Sequence, residues 1–137
     1  RDALLGEPSI AHVLDLARSA DIAVVGIGTV GVGSSAQVLE GLALSSGEYG
    51  AFLAGNPVGD TCCRFFDAWG QAVPGVTDDR VLAVELDDLR RIPTVVGVAT
   101  GAAKTAGVLG ALRGGIVDGL ITDAALAHSV LTAEGLL

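Results

Sequence analysis

Three short, largely uncharged apolar runs constrain this sequence most: Ile22-Ala23-Val24-Val25, Thr94 to Ala99, and Val117 to Ile121. Each run ends in a turn, and residues at helical spacing precede or follow it. Strands alternating with helices through short connections imply right-handed crossovers and a mainly parallel sheet flanked by helices, an α/β fold. The core must be aliphatic, because half of the 137 residues are apolar while only 4% are aromatic. That composition suits parallel strands buried on both faces, with Ala-rich helices packed over them. The length corresponds to one domain or a large piece of one.

Pro8 suits a first helical turn, and Ile10, Val13, Leu14 and Ala17 recur at helical spacing, so a helix is predicted from Pro8 to Ser19. The run from Ile22 leads into Gly26-Ile27-Gly28 and a loop through Ser35. A short helix is predicted over Gln37 to Leu44. A second one begins near Ser46, because Ser45 and Glu48 have capping-box spacing, and it ends near Gly55. The segment GDTCCRFFD, Gly59 to Asp67, reads as one strand, followed by a hairpin turn at Ala68-Trp69-Gly70. Val81 to Leu86 reads as another strand. Asp87 to Arg91 is a helical turn with acids first and bases last. Helices are predicted from Ala102 to Leu112, closed by Gly114-Gly115, and from the cap Asp123 to Thr132.

The formal charge of −8 argues against nucleic-acid binding by this chain alone, since displacing counterions from phosphate needs a basic surface. Adjacent Cys62 and Cys63 do not suit disulfide geometry and lack metal or redox spacing, so they read as reduced thiols of a cytoplasmic protein. No apolar run approaches the ~18 residues of a membrane span. His12 and His128 fall on separate helices with no carboxylate or thiol spacing to join them. There is no nucleophile elbow and no Walker A loop. Neither a cofactor nor a metal is expected.

In open parallel sheets, ligands sit beyond the carboxyl ends of the strands. Gly26 and Gly28 stand there, fit either for a tight turn or for close backbone approach to a ligand. In GVATGAAK, Gly97 to Lys104, a strand enters a turn at Gly101 and then a helix carrying the sole lysine of the chain, Lys104. Backbone N–H groups, the helix dipole and an ammonium would converge there on an anion. The alternative is a solvated surface lysine. Asp60 either accepts hydrogen bonds from sugar hydroxyls or caps the strand entry.

The strings ADIAVVGIG, VGDTCCRFFDAWG, DDRVLAVELDDLRRIPTVVGVATGAAK and ALRGGIVDGLITDAALA, in this order, resemble the sugar-binding effector domain of SorC-family transcriptional regulators. The resemblance covers nearly the whole chain. It implies a fold like that of the sugar-phosphate isomerases and glucosamine-6-phosphate deaminase, and a phosphorylated sugar as effector. It also implies assembly into oligomers, with DNA contacted only through an N-terminal helix-turn-helix. That module and the first part of the effector domain are expected to lie outside this chain. The resemblance places Lys104 and Gly101 in the family's Gly-Gly-x-x-Lys loop, Asp60 at the acidic position of its Gly-Asp motif, and Gly26 and Gly28 in the pocket-lining loop. Thr100 replaces a usual glycine, Ala102-Ala103 replace residues that are commonly acidic, and Ala124 replaces a usual Glu. Two other readings stand beside the binding domain. One is a sugar-phosphate isomerase or deaminase, for which no convincing acid–base pair is legible. The other is an oligomerisation piece with a dead site.

Overall fold

The computed structural model describes residues 1–75 and 77–137. Its helices are α1 (Asp2–Leu5), α2 (Pro8–Arg18), α3 (Ser34–Gly41), α4 (Ser46–Ala54), α5 (Leu86–Leu89), α6 (Thr105–Arg113) and α7 (Ala124–Ala133). The strands are β1 (Ile22–Gly26), β2 (Gly28–Thr29), β3 (Gly59–Thr61), β4 (Arg64–Phe66), β5 (Thr94–Val98) and β6 (Gly119–Ile121). A 3-10 turn, Ala102–Lys104, leads into α6. Local chemistry explains several ends. Pro8 opens α2, Ser45 and Glu48 form a reciprocal capping box on α4, and Asp123 accepts the Leu126 N–H at the start of α7.

β1, β5 and β6 form a parallel sheet in the order β1-β5-β6, with Val24 opposite Val96 and Val96 opposite Gly119. The three apolar runs are therefore neighbours in one sheet. A second, antiparallel sheet, β2-β3-β4, sits beside it. The main core lies on one side of the parallel sheet. There Val95 packs with Leu86, Leu89, Val108, Ala111, Leu126 and Val130 from the covering helices.

The opposite face of that sheet is bare. Ile22, Val24 and Ile121 are 65%, 68% and 59% exposed, and Val98, the register partner of Ile121, is exposed on the same face, whereas Val95 on the other face is buried. Burial on both faces was expected, and only one face is covered within this chain. Leaving such side chains in water forgoes roughly 1.5–3 kcal/mol each.

Two other expectations are corrected. GDTCCRFFD is a hairpin of β3 and β4, not one strand. Cys62 and Cys63 form its turn with φ of 51° and 58°, so Asp60, Arg64 and Phe66 do not share the face of a continuous strand. Val81 to Leu86 is not a strand either, and Leu86 already opens α5. The Val81 and Ala83 carbonyls accept from the buried Arg64 guanidinium, and Arg1 also donates to Val81, so these acceptors have no sheet partner. The turn at Trp69-Gly70 is present, closed by Asp67, whose carboxylate accepts the N–H groups of Trp69 and Gln71.

α6 packs on the antiparallel sheet through glycine. A Cβ on Gly59 would lie 2.7 Å from Gly107 Cα, and one on Gly107 would overlap the Gly28 carbonyl and lie 2.6 Å from Thr29 Oγ1. This close approach brings the start of α6, and Lys104 just before it, against the segment joining the two sheets.

Candidate functional site

The β1–β2 junction, Gly26-Ile27-Gly28, carries the chain from one sheet to the other. Its backbone is tied on three sides. Ile27 N–H donates to the Val98 carbonyl at 3.1 Å, the Thr61 hydroxyl donates to the Gly26 carbonyl at 2.9 Å, and Lys104 Nζ donates to the Ile27 carbonyl at 3.0 Å. Lys104 is therefore not a freely solvated lysine. Its ammonium lies at the carboxyl end of β1 and β5, where a parallel sheet presents ligands.

Asp60 joins this group from β3, where it pairs with Gly28 of β2. It is 8% exposed, and its Oδ1 accepts from the Ser35 hydroxyl at the start of α3. Burial raises its pKa above the ordinary carboxylate value, while the Ser35 bond and the Lys104 charge pull it back down. One cation and one desolvated carboxylate thus flank the same backbone segment. The first suits an anion and the second suits hydroxyl donors.

The structure brings Gly26, Gly28, Asp60 and Lys104 together. Gly101 belongs to the same rim but contributes differently from the expected anion cradle. Its φ of +89° shapes the turn, and its N–H is already donated to Asp123 Oδ2 at 2.7 Å. Asp123 also caps α7, and the backbone N–H groups of Leu126 and then Gly101 lower its pKa. The groups left to meet an anion there would be the ammonium and the first N–H groups of the turn, at Ala102 and Ala103, rather than Gly101 itself.

Sequence reading missed Ser35, Thr61 and the Ile27 carbonyl. Nothing in GVGSS marks which serine turns inward, and Thr61 has the pattern of an ordinary strand residue. Four clefts of about 200 to 390 Å³ lie elsewhere, and none is lined by Asp60, Gly101 or Lys104. The first is bounded by Arg64, Asp78, Glu85 and Asp87, where acidic groups already surround the guanidinium. The cluster at the β1–β2 junction lines none of these four clefts, and its members Ile27, Ser35, Asp60 and Thr61 are buried. Cys62 and Cys63, in the turn after Asp60, are free thiols whose pKa values are raised, first by burial. No helix among the described residues is long and apolar enough to cross a membrane.

Residues 1–132 match the family model described as "Putative sugar-binding domain". The transcriptional regulator LsrR of Enterobacter sp. (strain 638) is 37% identical over 130 residues, covering 94% of this chain and 40% of that protein. A sugar-binding domain of a transcriptional repressor from Vibrio fischeri superposes with a TM-score of 0.84 at 31% identity, over 98% of this chain and 53% of the other. The full-length sorbitol operon regulator SorC of Klebsiella pneumoniae gives 0.83 at 29% identity, over 96% and 41%.

Proposed function

This chain belongs to the sugar-binding domain family of SorC-type transcriptional regulators, and from that premise we propose that it is the C-terminal part of an effector domain. In this reading the domain binds a phosphorylated sugar in the cytoplasm and so modulates operator binding by a full-length regulator. The observation that carries the proposal is Lys104 held beside Asp60 at the β1–β2 junction, an anion-seeking group and a hydroxyl-seeking group on one rim. The phosphate pairs with Lys104, and sugar hydroxyls pair with Asp60. Gly26 and Gly28 line the rim, and Gly101 shapes its turn. The role is binding rather than turnover. DNA is contacted by a separate helix-turn-helix, in keeping with the charge of −8 on this chain.

The bare sheet face supports the partial-domain reading. Sheets built from parallel crossovers are covered on both faces, and this chain spans about half the length of the solved sugar-binding domain from Vibrio fischeri and about two fifths of the LsrR relative. The rest of the effector domain covers Ile22, Val24 and Ile121 and completes the ligand site. Alone in solution, this chain should therefore self-associate through that face, because exposed apolar patches seek partners. Light scattering checks this: association that rises with concentration and is relieved by Ile121→Asp is expected, and a clean monomer at high concentration counts against it.

The binding proposal is tested by melting the full-length protein with a panel of pentose and hexose phosphates. A specific ligand raises the melting temperature by mass action, about 2.7 kcal/mol of stabilisation at a hundredfold excess over Kd. Turnover of a sugar phosphate instead of simple binding would replace this reading with an enzymatic one.

A further inference from the structure

Gly28 and Asp60 are register partners, and a Cβ built on Gly28 would overlap both Asp60 Oδ1 and Ser35 Oγ. The Ser35 hydroxyl donates to that same Oδ1. Ser35 is 2% exposed and Asp60 8%, so the pair is sealed on this side. Three elements, β2, β3 and the start of α3, thus meet where the absent side chain of a glycine leaves room for one hydrogen bond. Among the described residues no group donates to the second oxygen, Oδ2, and that atom is not one of the buried unpaired ones.

We propose that Ser35 is a positioning residue: its hydroxyl pins Asp60 Oδ1 and leaves Oδ2 as a fixed acceptor for a ligand hydroxyl, with Gly28 supplying the clearance. The ligand part rests on the sugar-binding reading above; the positioning of the carboxylate does not. A free carboxylate rotates in a broad, two-fold torsional well. Tying one oxygen removes that freedom before binding, so less ordering is lost when a ligand arrives. The hydroxyl also favours the ionised form, which burial opposes. The other charged or titratable groups acting with Asp60 are Lys104 before α6 and the thiols of Cys62 and Cys63 in the following turn.

A carboxyl whose folded pKa is raised binds its proton more tightly in the folded state. Asp60 therefore contributes stability below its unfolded pKa of about 3.9, and loses it as pH rises through the folded value. At neutral pH the ionised, buried carboxylate is a net cost. Asp60→Asn is expected to raise the melting temperature at neutral pH and to remove this part of the pH dependence.

The decisive experiment measures melting temperature against pH in the wild type, Ser35→Ala, Asp60→Asn and the double variant. Ser35→Ala should move the pH-dependent step upward only where Asp60 is present. Ser35→Cys, with a weaker donor of similar size, should give an intermediate shift and serves if the alanine variant does not fold. If Ser35→Ala lowers stability equally at every pH and in both backgrounds, Ser35 is only a packing residue and the proposal is overturned. Titrating the sugar-phosphate panel into the full-length protein separates the two readings. A loss of about threefold to tenfold in affinity with Ser35→Ala supports both. A preserved pH shift with no sugar phosphate bound leaves the positioning intact and removes the ligand.

Discussion

Exchanging Lys104 for methionine in the full-length protein should weaken sugar-phosphate binding about tenfold to a hundredfold while leaving the fold in place. A charge-assisted hydrogen bond to phosphate contributes roughly 1.5–3 kcal/mol, which converts to that range of affinity. Methionine keeps most of the apolar stem, so packing changes little. The ammonium also donates to the Ile27 carbonyl at 3.0 Å. Its loss leaves that acceptor, on the buried Ile27, without its side-chain donor, at a cost of about 1–3 kcal/mol in stability. Asp60 loses a neighbouring positive charge as well, so its carboxyl becomes easier to protonate. Calorimetric titration checks the prediction. An unchanged dissociation constant for a phosphorylated ligand would reduce Lys104 to a tether for the β1–β2 junction.

Gly107→Ala should destabilise the protein by about 1–3 kcal/mol, the range for overpacking a tight contact, and should weaken ligand binding with it. Alanine normally gains up to about 1 kcal/mol over glycine inside a helix. That gain applies to Gly50 in α4, where an added Cβ meets nothing within 4 Å. At Gly107 the same Cβ would overlap the Gly28 carbonyl and lie 2.6 Å from Thr29 Oγ1. A backbone carbonyl cannot step aside as the end of a long side chain does, so α6 must lift away. Lys104 precedes α6 directly and moves with it. Urea denaturation of the two variants gives the comparison: Gly50→Ala should shift the midpoint up and Gly107→Ala down. If Gly107→Ala is stabilising, the glycine contact is not what sets the distance between α6 and the antiparallel sheet.

The parallel sheet was legible because β1, β5 and β6 lie in runs of β-branched and aliphatic residues bounded by turns, whereas their register was not read from the sequence. The capping residues Ser45, Glu48 and Asp123 were legible because capping is a matter of a few neighbouring residues. The β3–β4 hairpin was not. Its turn is Cys62-Cys63, with left-handed φ values that ordinarily call for Gly, Asn or Asp, so no turn signal interrupts the alternation from Gly59 to Phe66. Val81 to Leu86 is apolar enough for a strand, but distant arginines take its carbonyls, and no local pattern encodes that. Hydrophobicity likewise says that Ile22 and Val24 need cover without saying which segment supplies it.

Within the candidate site, Lys104, Asp60 and the glycines could be selected from motif and resemblance, whereas their mutual geometry could not. Lys104 and Ile27 lie 77 residues apart. The capture of the Gly101 N–H by Asp123 depends on β5 and β6 being adjacent, which places the turn after one strand beside the cap after the other. Ser35 was hidden for a related reason. Its inward orientation is set by the space over Gly28, across a contact between α3 and β2 that has no sequence period.

The measurement closest to the central claim is calorimetric titration of the full-length protein with a sugar phosphate and with the same sugar lacking its phosphate. The two-ended rim predicts that the phosphorylated form binds at least tenfold more tightly, by the loss expected for one charge-assisted contact. It also predicts that Lys104→Met removes most of that difference, while Asp60→Asn weakens both forms alike. Equal affinity for the two forms, or a phosphate preference that survives Lys104→Met, would contradict the assignment of this rim as the phosphate-bearing end of an effector site.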